Sequence, residues 1–194
     1  MIRMEGPSFC FNSYDIGLPH YRMWKSIVGP DAMTPSQLAM EIFSANLWSL
    51  QTFKSSFQNI ILNTHGFDGG LWIGGIWDWD HKYRKAMHTN DLAVFGMLKP
   101  YNVGTIWIVS CEIAESEKGQ SFCQALANVA GTQVIGSDSS QEVTTWQGME
   151  LASVWFYNYI DDFEGTVYSF TPAGGMRKGI DPEKDVWTVK ESRW

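Results

Sequence analysis

Two residues in this chain have the type and the setting for acyl-transfer chemistry: His65 and Cys111. A cysteine nucleophile needs a thiolate, a partner that moves its proton, and donors for the oxyanion it creates. His65 ends the run Asn59-Ile60-Ile61-Leu62-Asn63-Thr64, and Cys111 ends the run Thr105-Ile106-Trp107-Ile108-Val109-Ser110. Both runs are short, apolar and rich in β-branched residues, which predicts buried strands. At the tips of neighbouring parallel strands, about 5 Å apart, imidazole and sulfur come within reach of each other. Gly66 follows the histidine and has no side chain to keep the backbone from a substrate carbonyl.

The flanking segments supply the rest of an α/β frame. Residues 8–15 alternate and are aromatic, which predicts a first strand, broken by Gly17-Leu18-Pro19. Thr34 is an N-cap with Pro35 at the first helical position, opening a helix that places Leu38, Ile42, Ala45, Leu47, Leu50 and Phe53 at helical spacing. The glycines of Gly69-Gly70-Leu71-Trp72-Ile73-Gly74-Gly75 punctuate a hairpin-like excursion. Residues 77–88 read as a surface loop, and Asn90 or Asp91 caps a short helix through Leu98 that Pro100 stops. Further on, the pattern predicts a helix over 119–130, a strand over 133–136, a helix over 144–160, and late strands over 166–171 and 185–189. Strands alternating with helices argue for a mostly parallel sheet with helices on both faces. Function in such sheets gathers at the carboxyl ends of the strands. Both His65 and Cys111 are expected there.

The paired signature resembles that of the caspase-like (clan CD) cysteine peptidases, nearest to the CHAT-type and other bacterial caspase-fold proteins. The likeness lies in the strand ending in His65-Gly66 and the strand ending in Ser110-Cys111-Glu112, in that order, with about 50 residues between histidine and cysteine. It continues through Ile113-Ala114, Gly119, Phe122, Leu126-Ala127, Gly131 and Val134-Ile135-Gly136-Ser137, so it covers residues 59–138. Ser110 stands where the family usually has Ala or Gly, and the chain beyond Asp138 is short for the strands that build a specificity pocket. The resemblance implies a three-layer α/β/α sandwich of the caspase-haemoglobinase type, formed as one domain over residues 1–194. It also implies a cysteine endopeptidase in which Cys111 is the nucleophile and His65 protonates the leaving amine. The backbone N–H groups of Gly66 and Cys111 would then form the oxyanion hole. An acidic residue that holds Arg or Lys is expected of such a pocket, and Asp138, after the third strand, is the candidate. Trp72 and Trp146 are candidates to line the same cleft.

Each of these residues has a plainer use. Free cysteine is among the most buried residue types, and Cys10 and Cys123 read as core. Cys111 would read the same way without His65-Gly66 at a matching strand end. Asp138 suits turn capping, and ten tryptophans supply core packing before they line any cleft. His81, His88 and Asp80 lack metal-ligand spacing, and His20 follows Pro19 as a solvated side chain. No metal or cofactor is expected.

A net charge of −7 and a pI near 5.0 argue against a phosphate-tracking nucleic-acid binder. No apolar run is long enough to span a bilayer, and residues 1–11 lack the pattern of a signal peptide. Three sparse cysteines fit a reducing compartment, so a cytoplasmic site is expected, with export by a route without a signal peptide left open. The partner expected is a protein or peptide substrate, neither nucleic acid nor membrane. Two other readings stay open: an interaction module that kept the fold without catalysis, and a Cys-His amidase or acyltransferase.

Overall fold

The computed structural model describes residues 1–16, 20–74, 85–141, 145–146, 149–150 and 158–185. In chain order the first elements are β1 (Ile2–Arg3), β2 (Ser8–Asn12), the 3-10 turn Tyr14–Ile16, β3 (Lys25–Val28), α1 (Pro35–Phe53) and β4 (Asn59–Asn63). Next come β5 (His65–Phe67), β6 (Gly70–Gly74), β7 (Lys85–His88), the 3-10 helix Thr89–Tyr101, β8 (Thr105–Val109), α2 (Glu117–Ala130) and β9 (Val134–Ser137). The last strands are β10 (Thr145–Trp146), β11 (Met149–Glu150), β12 (Tyr159–Ile160), β13 (Val167–Phe170) and β14 (Met176–Lys178), followed by a helical turn, Pro182–Asp185.

Seven strands form one sheet in the order β14-β13-β9-β8-β4-β2-β3. From β3 to β9 every pairing is parallel, whereas β13 runs antiparallel to both β9 and β14. The chain is therefore a mixed α/β protein with a mostly parallel sheet. Strand periodicity divides the core cleanly. Phe9, Phe11, Ile60, Leu62, Ile106, Ile108 and Val134 join the cluster that contains α1, α2 and the 3-10 helix. Cys10, Ile61, Trp107 and Ile135 point the other way, to Ile2, Met4, Tyr21, Met23, Ile160 and Ile180. Among the described residues, all three long helices share the first face. No helix among them is long and apolar enough to cross a membrane.

Helix α1 begins as the sequence predicts. Gln37 N–H donates to Thr34 Oγ1 at 3.2 Å, and Gln37 Oε1 accepts from Thr34 N–H at 2.9 Å. Its buried stripe departs from the expected one after Ala45, continuing through Asn46 and Ser49 instead of Leu47, Leu50 and Phe53. Ser49 is satisfied by donating to the Ser55 carbonyl at 2.7 Å, whereas Asn46 accepts the Phe57 N–H at 2.8 Å but has no acceptor for its Nδ2 among the described residues. Phe53 packs instead between Trp24 and Trp48, edge to face.

Several expected boundaries move. The helix after β7 is wound as a 3-10 helix from Thr89 and includes Pro100. Its cap is His88, whose N–H donates to Asp91 at 2.8 Å, so Asp91 serves from the third turn position and Asn90 does not cap. The expected helix over 144–160 is wrong at its described residues. Thr145–Trp146 pairs antiparallel with Met149–Glu150, and Tyr159–Ile160 pairs with β1. Thr and Trp favour the pleated surface, and that preference outweighs the apparent helical spacing. Residues 77–84 of the expected loop lie outside the described residues, while Lys85–His88 is strand β7. The Gly17-Leu18-Pro19 break also falls outside them, as do residues 186–189. Asp185, the first residue of that expected strand, closes a helical turn instead.

Candidate active site at the ends of two central strands

Strands β4 and β8 lie side by side in the middle of the sheet, and their last register pair is Asn63 with Val109. Pairing continues one residue beyond the ladder. Thr64 N–H donates to the Val109 carbonyl at 3.3 Å, the Thr64 and Ser110 hydroxyls meet at 2.7 Å, and Ser110 Oγ also bonds the Thr64 carbonyl at 2.9 Å. The offset of 46 residues that joins Thr64 to Ser110 is also the offset between His65 and Cys111. The hydroxyl of Ser110 thus ties the two strand ends together, a contact that Ala or Gly would not make. Sequence reasoning missed Thr64 as its partner.

Gly66 presses on the other strand end. A Cβ at this position would lie 2.3 Å from the Cys111 carbonyl oxygen and 2.8 Å from Ser110 Cβ. Only glycine fits. The close approach is therefore to the backbone of Cys111, next to the sulfur. His65 opens β5, which pairs antiparallel with β6 and sets Trp72 directly opposite His65. Phe67 packs on Trp72 and His88 with ring centroids 4.8 and 5.5 Å apart. Trp72 is thus brought to the histidine side of the site.

The three cysteines are all free, but they differ sharply in setting. Cys10 and Cys123 are fully buried, and burial raises both thiols well above their ordinary value. Cys111 is half-buried, at the point where β8 gives way to a tight turn. Glu112 there adopts the left-handed backbone, φ 56°, which costs on the order of 1 kcal/mol. Its N–H donates to the Ser139 carbonyl at 3.0 Å, and the Ala114 N–H donates to the Ser137 carbonyl at 3.0 Å. The turn after the cysteine is thereby laid along the end of β9. From the same side, the Gln141 N–H points at Cys111 Sγ, 3.4 Å away.

Beside this turn is a hollow of about 480 Å³, bordered by Glu112, Glu115, Asp138, Ser139, Ser140 and Glu164. Asp138 accepts the Thr166 N–H at 2.7 Å and the Tyr168 hydroxyl at 3.2 Å. Burial alone would raise its carboxyl, but these hydrogen bonds and the Lys178 charge outweigh it and hold it below the ordinary value of 3.8. The group is therefore already used in joining β9 to β13. Its stabilising effect is present above pH 4 or so and is lost as the pH falls through the depressed value. Asp138→Asn should accordingly flatten the acid limb of stability, read as urea midpoints measured between pH 3 and pH 6.

Residues 37–147, from α1 to β10, match the profile of a domain of unknown function, DUF4347. The match spans more than half of the chain. The protein belongs to the DUF4347 family. No curated protein and no solved structure matches it. The DUF4347 segment contains His65, Gly66, Trp72, Cys111 and Asp138, and also Asp68, which the sequence reading overlooked. Asp68 lies in the turn between β5 and β6 and accepts the Ser116 hydroxyl at 2.7 Å and the Gly119 N–H at 2.9 Å. It thus caps α2 from the histidine side and fixes the two halves of the site to each other. Asp68→Ala should lower stability by about 1–2 kcal/mol, visible as a reduced urea midpoint with unchanged slope.

The remaining residues singled out in the sequence lie elsewhere. The side chain of Trp146 and all of Asp80 and His81 lie outside the described residues. His88 is exposed at the end of β7. His20, expected to be solvated, is half-buried with Nε2 lacking a hydrogen-bond partner, and burial lowers its pKa. Among the described residues, no three His, Cys, Asp or Glu side chains gather in metal-binding geometry.

Proposed function

We propose that this protein is a cysteine peptidase of the caspase-like type, with Cys111 as nucleophile and His65 as its proton-transfer partner. The observation that carries the reading is the tie between Thr64 and Ser110, which brings the two strand ends together one residue before His65 and Cys111. The parallel order of β2, β4, β8 and β9 accords with the caspase-haemoglobinase sandwich suggested by the sequence. In this mechanism the Cys111 thiolate attacks the scissile carbonyl and forms the S–C bond of a tetrahedral intermediate. The N–H groups of Gly66 and Cys111 stabilise the oxyanion. His65 donates a proton to the leaving amine as the C–N bond breaks, and water then hydrolyses the acyl-enzyme.

The carboxylates around the hollow favour a positively charged side chain next to the scissile bond over a negatively charged one. Glu112, Glu115 and Glu164 would supply most of that preference, because Asp138 is engaged by Thr166 and Tyr168. Trp72, opposite His65, would flank the peptide on the histidine side. A fluorogenic peptide library with Arg, Lys, Asn or Asp before the scissile bond tests the whole reading. Cleavage after Arg or Lys that disappears in Cys111→Ala is the expected result. No cleavage of any member by folded wild-type protein would overturn it.

A further inference from the structure

Gln141 occupies an unusual position for a surface amide. Its Nε2 donates to Ser137 Oγ at 2.6 Å and to the Ser139 carbonyl at 2.8 Å, with the Glu164 carbonyl as a longer third acceptor at 3.4 Å. Its Oε1 accepts the Glu164 N–H at 3.2 Å. The partners fix the orientation of the amide, because a carbonyl only accepts and a backbone N–H only donates. The side chain therefore bridges the end of β9 to the loop before β13, and every polar atom it has is used. Such anchoring is more than a turn residue requires. What it holds in place is the Gln141 backbone, whose N–H meets Cys111 Sγ at 3.4 Å.

We propose that Gln141 is a positioning residue for Cys111, its side chain acting as a clamp that keeps its own N–H on the sulfur. The proposal rests on the reading of Cys111 as the nucleophile. An N–H that donates to sulfur favours the thiolate over the thiol, and it also limits the rotation of the side chain. Glu112 follows the cysteine in the chain, and Glu115, Asp138 and Glu164 border the hollow beside the same turn, so a neutral N–H donor is the contact that the structure supplies to the sulfur from this side. The same clamp links the rim of the hollow at Glu164 to the sulfur, so the site that would hold a substrate side chain and the reacting atom share one side chain.

The test is the rate of Cys111 alkylation by iodoacetamide as a function of pH, followed by peptide mass spectrometry. Gln141→Ala and the volume-conserving Gln141→Met should react about threefold more slowly at pH 7, with the difference from wild type closing as the pH rises. Ser137→Ala removes a single anchor and should displace the profile less, in the same direction. Profiles of folded variants that superimpose on wild type would overturn the proposal. A second measurement needs no variant: the Gln141 amide cross-peak should move when Cys111 ionises, and a stationary cross-peak also overturns it. The two readings fail separately. Peptide cleavage with an undisplaced profile refutes the clamp alone, whereas a displaced profile in a protein that cleaves nothing refutes the peptidase alone.

Discussion

Replacing Cys111 with Ala is expected to remove peptide turnover by more than about a thousandfold while leaving the protein folded. The loss follows because no other thiol can substitute: Cys10 and Cys123 are fully buried and held protonated. Stability should change by less than about 1 kcal/mol, since Cys111 is only half-buried and bonds only weakly through sulfur. His65→Ala should behave differently. It removes the proton donor to the leaving group, so amide hydrolysis should fall by about 10²–10⁴-fold. An activated ester, whose leaving group needs no proton, should be affected much less. Unchanged turnover in Cys111→Ala would sink the nucleophile assignment outright, whatever the histidine variant did.

Gly66→Ala is expected to be the most damaging single-methyl change in the site. The new Cβ would sit 2.3 Å from the Cys111 carbonyl oxygen and 2.8 Å from Ser110 Cβ. Neither atom is the free end of a flexible side chain, so the strand ends themselves must separate. Overpacking of this kind costs about 1–3 kcal/mol, and a displacement of about 1 Å at the reacting atoms costs about a hundredfold in rate. Gly96→Ala is the control. Its Cβ would meet nothing nearer than Val129 Cγ1 at 3.7 Å, and the backbone there is not left-handed. That variant should be neutral or stabilised by about 0.5 kcal/mol. A Gly66→Ala protein as stable and as reactive at Cys111 as wild type would mean that the two strand ends are not rigidly coupled.

The sequence was most legible where burial is complete. Ile60-Ile61-Leu62 and Ile106-Trp107-Ile108 read as strands because both faces of the sheet are covered, which leaves a continuous apolar run. The cap at Thr34 was likewise readable, since it depends on one local residue type. Contacts between distant segments were not. Nothing in the spacing of Asp68, Ser116 and Gly119 shows that one carboxylate serves the other two, and Gln141 looks like any polar residue after a strand. The expected helix over 144–160 misled for a related reason, because Tyr159–Ile160 pairs with β1 at the far end of the chain, whereas the strand expected over 166–171 is present as β13.

The central placement of β4 and β8 also sets a hierarchy of motions. Each of the two is paired on both edges and covered on both faces, so the amides of Ile61 and Trp107 should exchange with solvent only when the whole domain opens. The rim formed by Ser139, Ser140 and Glu164 lies nearer the surface and depends on the Gln141 clamp and the Ser140–Glu112 contact, so it opens at lower free energy than the central strands once those bonds are lost. His65 and Cys111 thus follow the ends of the two strands expected to exchange most slowly. Changes at Ser140 or Glu115, which the Gln141 side chain does not touch, can alter the border of the hollow without loosening the strands that hold His65 and Cys111.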